Sequence, residues 1–436
     1  MQTTVRDQDA QSLALATGDA EVDGLNAEFY GAIRYPGPPM SFERLADARF
    51  WADALDHDIG RAGRPVLPVE GARVWVAGCG TNQAVITALM FPGARVVGSD
   101  LSAASLEMAE RSAGQLGVQN LELRRESIHE AGYQAEFDYV ICTGVIHHTA
   151  DPGRTLAHLS AALRPGGVMQ LMVYNRYHRT LSTAFQKAMR ALLGDSGYAY
   201  ERELEMARRF VHHFTPPENA VGGAANMGAW LAGYRSAPDA QLADSLIQPV
   251  EHSFTVESLD SLAQGAGLEL LTPFPNPFDA AKGTLHWEME LGDPELQRGY
   301  DELPDARRWQ VTNLLSMEGS PMLWFYLQRQ DSPESRRSTR ELCEAFLAGR
   351  YVRAATTRGM HLVGPGGVYA AEPSQQMPFP VWRGKGDAKR VFDALDPRET
   401  MEETMRRLGI DTADPRTVNR LRVQLASSAY PFLRPA

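Results

Sequence analysis

Arg73–Val74–Trp75–Val76–Ala77–Gly78–Cys79–Gly80–Thr81–Asn82 is the stretch whose reading decides the fold. Val74, Trp75 and Val76 read as the end of a buried strand. Gly78 and Gly80 then force a tight turn, and Asn82–Gln83–Ala84–Val85–Ile86–Thr87–Ala88–Leu89 reads as the opening of a helix. A strand, a Gly-x-Gly turn and a helix build a nucleotide-binding crevice. Glycine lets the backbone approach a ligand closely, and the helix N-terminus offers unpaired N–H groups. Alone, this signal is weak. It gains weight because the next strand, Ala94–Arg95–Val96–Val97–Gly98, ends in Ser99–Asp100, a carboxylate 20 residues after Gly80. An acidic residue there can accept hydrogen bonds from two ribose hydroxyls.

Outward from this unit, Gly71 to Val173 keeps alternating. Strands are expected at 73–77, 94–98, 121–124, 137–142 and 168–173, with helices at 82–90, 102–116 and 153–163. That alternation predicts an α/β fold, a Rossmann-like doubly wound parallel sheet with helices on both faces. A ligand then sits beyond the C-terminal ends of the strands, where the strand order reverses. Upstream, residues 1–23 are polar without firm periodicity and read as a flexible N-terminus. Residues 24–70 read as an N-terminal helical cap, in which Tyr30 and Tyr35 are candidates for ligand contact or, more plainly, core packing.

Downstream, residues 175–250 are too long for a simple connection and read as a helical lid or substrate insertion over the crevice. Thr255–Val256–Glu257–Ser258–Leu259 opens a helix, and Leu268–Leu271 is the next strand. A second insertion at 276–318 precedes Met322–Leu323–Trp324–Phe325–Tyr326–Leu327, an apolar run suited to a central strand. Ser332–Pro333–Glu334–Ser335 marks a boundary, after which 335–436 reads as a small helical or winged-helix-like accessory domain. A strand pair there, around His361–Val363 and Gly367–Ala370, is turned by Gly364–Pro365–Gly366.

Composition narrows the function classes. The 436 residues are enough for two or three domains. A net charge of −11 argues against nucleic-acid binding, which needs an exposed basic surface. Seven arginines fall within 329–358, but Asp331, Glu334, Glu341 and Glu344 interleave with them, as on a solvated helix. No apolar run reaches bilayer length, and the N-terminus lacks a signal-peptide pattern, so the cytoplasm is the default. Three cysteines form neither a disulfide framework nor a Cys-x-x-Cys pair, and no metal-ligand spacing stands out.

Five segments in order resemble the class I S-adenosylmethionine (SAM)-dependent methyltransferases. They are Val76–Ala77–Gly78–Cys79–Gly80–Thr81, Gly98–Ser99–Asp100–Leu101–Ser102, Glu126–Ser127–Ile128, Phe137–Asp138–Tyr139–Val140–Ile141–Cys142–Thr143–Gly144–Val145–Ile146–His147–His148, and Leu163–Arg164–Pro165–Gly166–Gly167–Val168. The resemblance implies SAM as cofactor and S-adenosylhomocysteine (SAH) as product. It implies cofactor contacts from Ala77, Gly78, Cys79, Gly80, Asn82, Asp100, Leu101, Ser127, Ile128 and Thr143. It also implies that the sheet closes with an antiparallel last strand, here 322–329. Two positions depart from the family. Ala77 stands where an acidic residue is usual, and Asn82 where a third glycine often occurs. The competing dinucleotide fingerprint needs glycine at position 83, which is Gln83.

Methyl transfer is an in-line displacement in which alignment and exclusion of water supply much of the rate. A protonated nucleophile must also lose a proton, for which histidine is poised. By the resemblance, His147 and His148 are the catalytic candidates, His147 toward the substrate and His148 at a position that is often structural. Packing of the following helix is the bland alternative. Tyr174, Asp244 and His252, with Glu251 beside the last, are substrate-side candidates, against a solvated loop. The acidic chain, capped crevice and lid favour a small-molecule acceptor, of the kind found in specialised-metabolite biosynthesis. A peptide or protein docked on the C-terminal domain is the second reading and RNA, on charge, the third; Ala77 keeps open a role of another class, a non-catalytic SAM-binding partner or regulator. The amphipathic residues Leu342, Phe346, Tyr351 and Val352 must bury a face, against the catalytic domain or a homodimer mate.

Overall fold

The computed structural model describes every residue except 1–11, 15–17, 34, 38, 40, 46–48, 61–65, 69, 195–197, 217, 219–221, 355, 364–367, 372–377, 380–385 and 431. Seven apolar segments become strands of one sheet: β1 Arg73–Ala77, β2 Arg95–Asp100, β3 Leu121–Arg125, β4 Phe137–Thr143, β5 Leu163–Val173, β6 Leu268–Pro273 and β7 Leu323–Arg329. Their order is β3-β2-β1-β4-β5-β7-β6. β1 to β5 pair in parallel, whereas β7 runs antiparallel to both β5 and β6. The order reverses between β1 and β4, and the crevice opens there.

Side-chain alternation sorts the core into two layers. Trp75, Phe137, Val140 and Phe325 face α5 (Pro152–Ala162), α10 (Val256–Gly265) and the Trp287 and Trp309 rings of the second insertion. Val74, Val76, Tyr139, Ile141 and Tyr326 face the other way, toward α2 (Phe50–Ile59) and α3 (Gln83–Met90). Local signals set the helix ends. Ser102 caps α4 (Ala103–Leu116), accepting from the Ser105 N–H, and Gly117 closes it in the left-handed region at φ 65°.

The expected lid is α6 (Thr180–Leu193), α7 (Tyr200–His213), α8 (Gly223–Ala232) and α9 (Asp239–Leu246). It shares an apolar core with α1 (Asp19–Ile33), where Phe29 and Ile33 meet Phe185, Met189 and Leu246. A buried Arg190–Glu203 ion pair ties α6 to α7.

Several boundaries differ from expectation. Part of the stretch read as flexible, residues 1–11 and 15–17, lies outside the described residues. The rest of it is built into the fold. Ser12–Ala14 pairs antiparallel with Val250–His252, and α1 begins at Asp19, because Val22 has a buried site to fill. β5 starts at Leu163, five residues early. The second insertion, α11 (Pro277–Lys282), α12 (Pro294–Asp301) and α13 (Asp305–Ser316), sends its tryptophans to the sheet face away from α2 and α3.

The C-terminal region gathers α14 (Thr339–Ala348), α15 (Asp387–Ala394), α16 (Met401–Arg407) and α17 (Pro415–Ala426) around Phe346, Val391, Met405 and Leu425. It docks on the catalytic unit. Asp58 accepts from Ser428 and from the Tyr326 hydroxyl, and Asn419 donates to Glu288 at 2.5 Å. The expected strand pair exists as His361–Val363 with Tyr369–Ala371, while its turn at Gly364–Pro365–Gly366 lies outside the described residues. The longer strand Thr356–Val363 also pairs with Ser41–Leu45 of the cap. It therefore joins the two ends of the chain rather than forming an independent wing. Among the described residues, no helix is long and apolar enough to cross a membrane.

Candidate active site

The turn after β1 is built on two left-handed glycines, at φ 68° for Gly78 and 55° for Gly80. A Cβ on Gly78 would lie 2.4 Å from the Val145 side chain, so the approach of the β4 loop also demands glycine there. The carboxylate of Asp100, at the end of β2, receives the N–H of Gly80 at 2.8 Å and of Ser102 at 2.9 Å. Burial raises its pKa, and these backbone donors partly offset that rise. The carboxylate thus locks both loops while bordering a cavity of about 1240 Å³.

Nine of the ten expected cofactor positions border that cavity: Gly78, Cys79, Gly80, Asn82, Asp100, Leu101, Ser127, Ile128 and Thr143. Ala77 does not. Strand alternation turns its side chain into the Trp75 layer on the opposite face. Asn82 has a structural task where a third glycine is common in the family: its amide donates to the Gly37 carbonyl of the cap at 3.0 Å. Ser127 likewise donates to Asp23 of α1 at 2.5 Å. A carboxylate, an apolar platform at Ile128 and a glycine-rich turn suit a nucleoside ligand.

At the other side of the cavity mouth, Tyr30, Tyr35, Tyr174 and Asp244 come together with His148. Asp244 lies in α9 rather than in a solvated loop. Burial lifts its carboxyl to about 6, despite the opposing charge of Arg179 and hydrogen bonds from Gln248 and Tyr35. The Gln248 amide also donates to the Tyr30 hydroxyl at 2.7 Å, linking α1 to this cluster.

The two histidines divide differently from expectation. The 3₁₀ turn Ile146–His148 buries His147 completely, off the cavity wall, with its ring stacked on Tyr174 at 3.8 Å. His148 is the one that borders the cavity. Its Nδ1 lies 2.8 Å from the Val250 carbonyl, which can only accept, so Nδ1 carries the proton and Nε2 the lone pair. Burial lowers this imidazole to about 4, which keeps it neutral at physiological pH. His252 also stays off the wall; its Nε2 meets the Thr149 carbonyl at 3.1 Å and pins the loop after His148.

Arg179 is the residue that sequence reasoning missed. It borders the cavity, sits 4.3 Å from the Tyr174 ring, and grips Glu251 with Nε at 2.8 Å and Nη2 at 2.5 Å. Gln186 donates to the same carboxylate at 3.1 Å. The available signal was its place just beyond the C-terminal end of β5, where ligands gather in such sheets.

Sheet order, glycine turn and cavity-facing carboxylate define the class: the fold is the Rossmann-like fold of class I methyltransferases. Comparison agrees, since residues 75–169 match the family model described as a methyltransferase domain. The uncharacterized protein syc1184_c of Synechococcus sp. is 28% identical over 280 residues, 62% of this chain and 64% of its own length. The ubiquinone biosynthesis O-methyltransferase of Chelativorans sp. is 33% identical over 142 residues, 32% of this chain and 54% of that enzyme. The chain thus spans about half to under two thirds of these relatives. PKMT2 from Rickettsia typhi superposes over 92% of this chain and 76% of its own, with a TM-score of 0.57 and 13% identity. Its complex with AdoHcy gives 0.53 at 14% identity, over 78% and 66%. At such identities the likeness speaks for the fold alone.

Proposed function

We propose that this chain transfers the methyl group of SAM to a small-molecule nucleophile and releases SAH. The observation that carries this is the cavity. Drug-sized ligands usually occupy pockets of roughly 300–1000 Å³. One space of about 1240 Å³ that joins Asp100 to Asp244 and His148 has room for a cofactor and an acceptor together. The likeness to O-methyltransferases of ubiquinone biosynthesis supports a small acceptor.

When bound, SAM supplies an electrophilic methyl carbon on a positively charged sulfur. Asp100 would accept the ribose hydroxyls, Ser127 and Ile128 would hold the adenine edge and face, and the Gly78–Gly80 turn would admit the amino-acid tail. Tyr30, Tyr35 and Tyr174 would orient the acceptor and exclude water. Two groups could take its proton: the lone pair on Nε2 of His148 and the carboxylate of Asp244. Asp244, near 6, is the stronger base than an imidazole near 4, so we assign it the proton and His148 a positioning hydrogen bond.

Isothermal titration is expected to show both SAM and SAH binding; silence for both at millimolar concentration would end this reading. In carboxyl-labelled protein, two aspartate resonances should titrate near pH 6, those of Asp58 and Asp244, and one of the two should vanish in Asp244→Asn. If Asp244→Asn removed only a resonance that titrates below about pH 4.5, the assignment of Asp244 as base would be lost. Incubation with labelled SAM and cell extract decides the acceptor class. Label confined to protein would point to a macromolecular acceptor instead.

A further inference from the structure

Beyond the cofactor end, the same cavity continues between the sheet and the helices α2 and α3. Its walls there are Trp51, Met90, Phe91, Phe274, Trp324 and Tyr326. The chemistry of this wing is one-sided. Its hydroxyls are already paired: that of Tyr139 donates to Gln170 at 2.5 Å, and that of Tyr326 to Asp58 at 2.9 Å, while the Trp324 indole N–H is a neutral donor without a partner. What this wall offers a ligand is ring face, methyl group and that neutral N–H. Phe274 and Trp324 stack face on face at 4.6 Å and 21°. The charged groups on the cavity are Asp23, Asp100 and Glu126 at the cofactor end, Asp244 and Arg179 beside the acceptor end, and Lys282 on α11. Next to Lys282 on the same helix, Phe278 is 63% exposed although it borders the cavity, as a residue at an entrance would be.

We propose that this wing is the acceptor's second subsite, and that it takes an uncharged, elongated apolar body whose single hydroxyl end reaches Asp244. This inference rests on the methyltransferase reading and narrows its substrate class. The physical reason is desolvation. A charged or peptide-like body would lose its hydration in the wing and find too little to replace it, since the Trp324 indole N–H is a single neutral donor. An apolar body gains with every methylene withdrawn from water. The aromatic walls also favour flat or chain-like shapes that lie along ring faces. Ser428 and Ala429 of the C-terminal region close part of the same cavity, so docking of that region shapes the subsite.

The test uses the full chain and three probes: 4-heptylphenol, phenol and N-acetyl-lysine amide, followed by tryptophan fluorescence, since Trp51 and Trp324 form the walls. The expected result is that 4-heptylphenol binds at least 100-fold more tightly than phenol, and that the lysine amide fails to displace it. A heptyl advantage under threefold, or displacement by the lysine amide at equal concentration, overturns the proposal. Met90→Glu sets a carboxylate in the wing and should cost 4-heptylphenol tenfold or more while SAH affinity changes less than threefold. Equal 4-heptylphenol affinity in that variant also overturns it. If Met90→Glu does not fold, the ratio between the two phenols decides alone. SAH titration on the same protein separates the two readings. Loss of SAH binding would defeat the methyltransferase reading, whereas SAH binding without a heptyl advantage would defeat only the apolar subsite.

Discussion

Asp100→Ala is expected to weaken SAH binding about 100-fold or more, read by isothermal titration. Two ribose hydroxyls would lose a charged acceptor, and each such hydrogen bond contributes about 1.5–3 kcal/mol. Tenfold in affinity corresponds to about 1.4 kcal/mol, so 100-fold is the lower end of that sum. The substitution also frees the N–H groups of Gly80 and Ser102, which the carboxylate holds at 2.8 and 2.9 Å. The glycine turn would therefore lose part of its shape as well as its ligand contact. Asp100→Asn separates these effects. It keeps one acceptor oxygen and should lose nearer tenfold. Affinity within threefold of wild type in the alanine variant would show that the ribose is held elsewhere.

Arg179→Met is expected to be the most damaging single change to stability. It leaves the Glu251 carboxylate, 2% exposed, without its cation. Breaking one partner out of a buried pair costs about 3–5 kcal/mol, because the remaining charge keeps its desolvation penalty. For a chain of this length that corresponds to a drop in Tm of about 3–5 °C. The pH dependence should change sign. In the wild type, burial raises the Glu251 carboxyl, but Arg179, aided by His148 and Gln186, more than reverses this and leaves it below its ordinary value of 4.5. The pair's contribution is therefore present above about pH 4.5 and fades as pH falls below it. In the variant only Gln186 and His148 oppose burial, the folded pKa is expected above the unfolded one, and stability then falls as pH rises through it. Adding Glu251→Gln should restore part of the loss, since the double change removes both charges. A Tm within 1 °C of wild type in Arg179→Met would show that Glu251 has another partner.

How far the site can be read from the chain follows the physics of each signal. The glycine turn, Asp100 and Ser127–Ile128 are legible because local backbone geometry produces them. A strand, a left-handed turn and a helix leave their marks within ten residues of one another. Tyr30, Tyr35 and Asp244 border the cavity as expected, but their meeting depends on the lid folding back over α1 through the core around Phe29 and Phe185. Nothing within a few residues of Asp244 announces that contact. His147 and His148 show the limit most sharply. Both occupy one short turn, and which ring borders the cavity depends on the Val250 carbonyl, 102 residues away, which fixes His148.

By itself, then, the sequence determined the sheet, its crevice and the cofactor end, because periodicity, turn chemistry and charge spacing are local properties of a chain. It also determined that the C-terminal region must bury an amphipathic face. The tertiary structure alone decided where that face goes: Phe346 and Tyr351 enter the core that α14 shares with α15, α16 and α17, and meet His57 of α2. It alone decided that Arg179 grips Glu251 beside the cavity, and that Trp51, Phe274 and Trp324 share one wall. Those residues stand 223 and 50 positions apart, and apolar packing carries no address. Any buried tryptophan reads alike until the helix and strands that bear it have met.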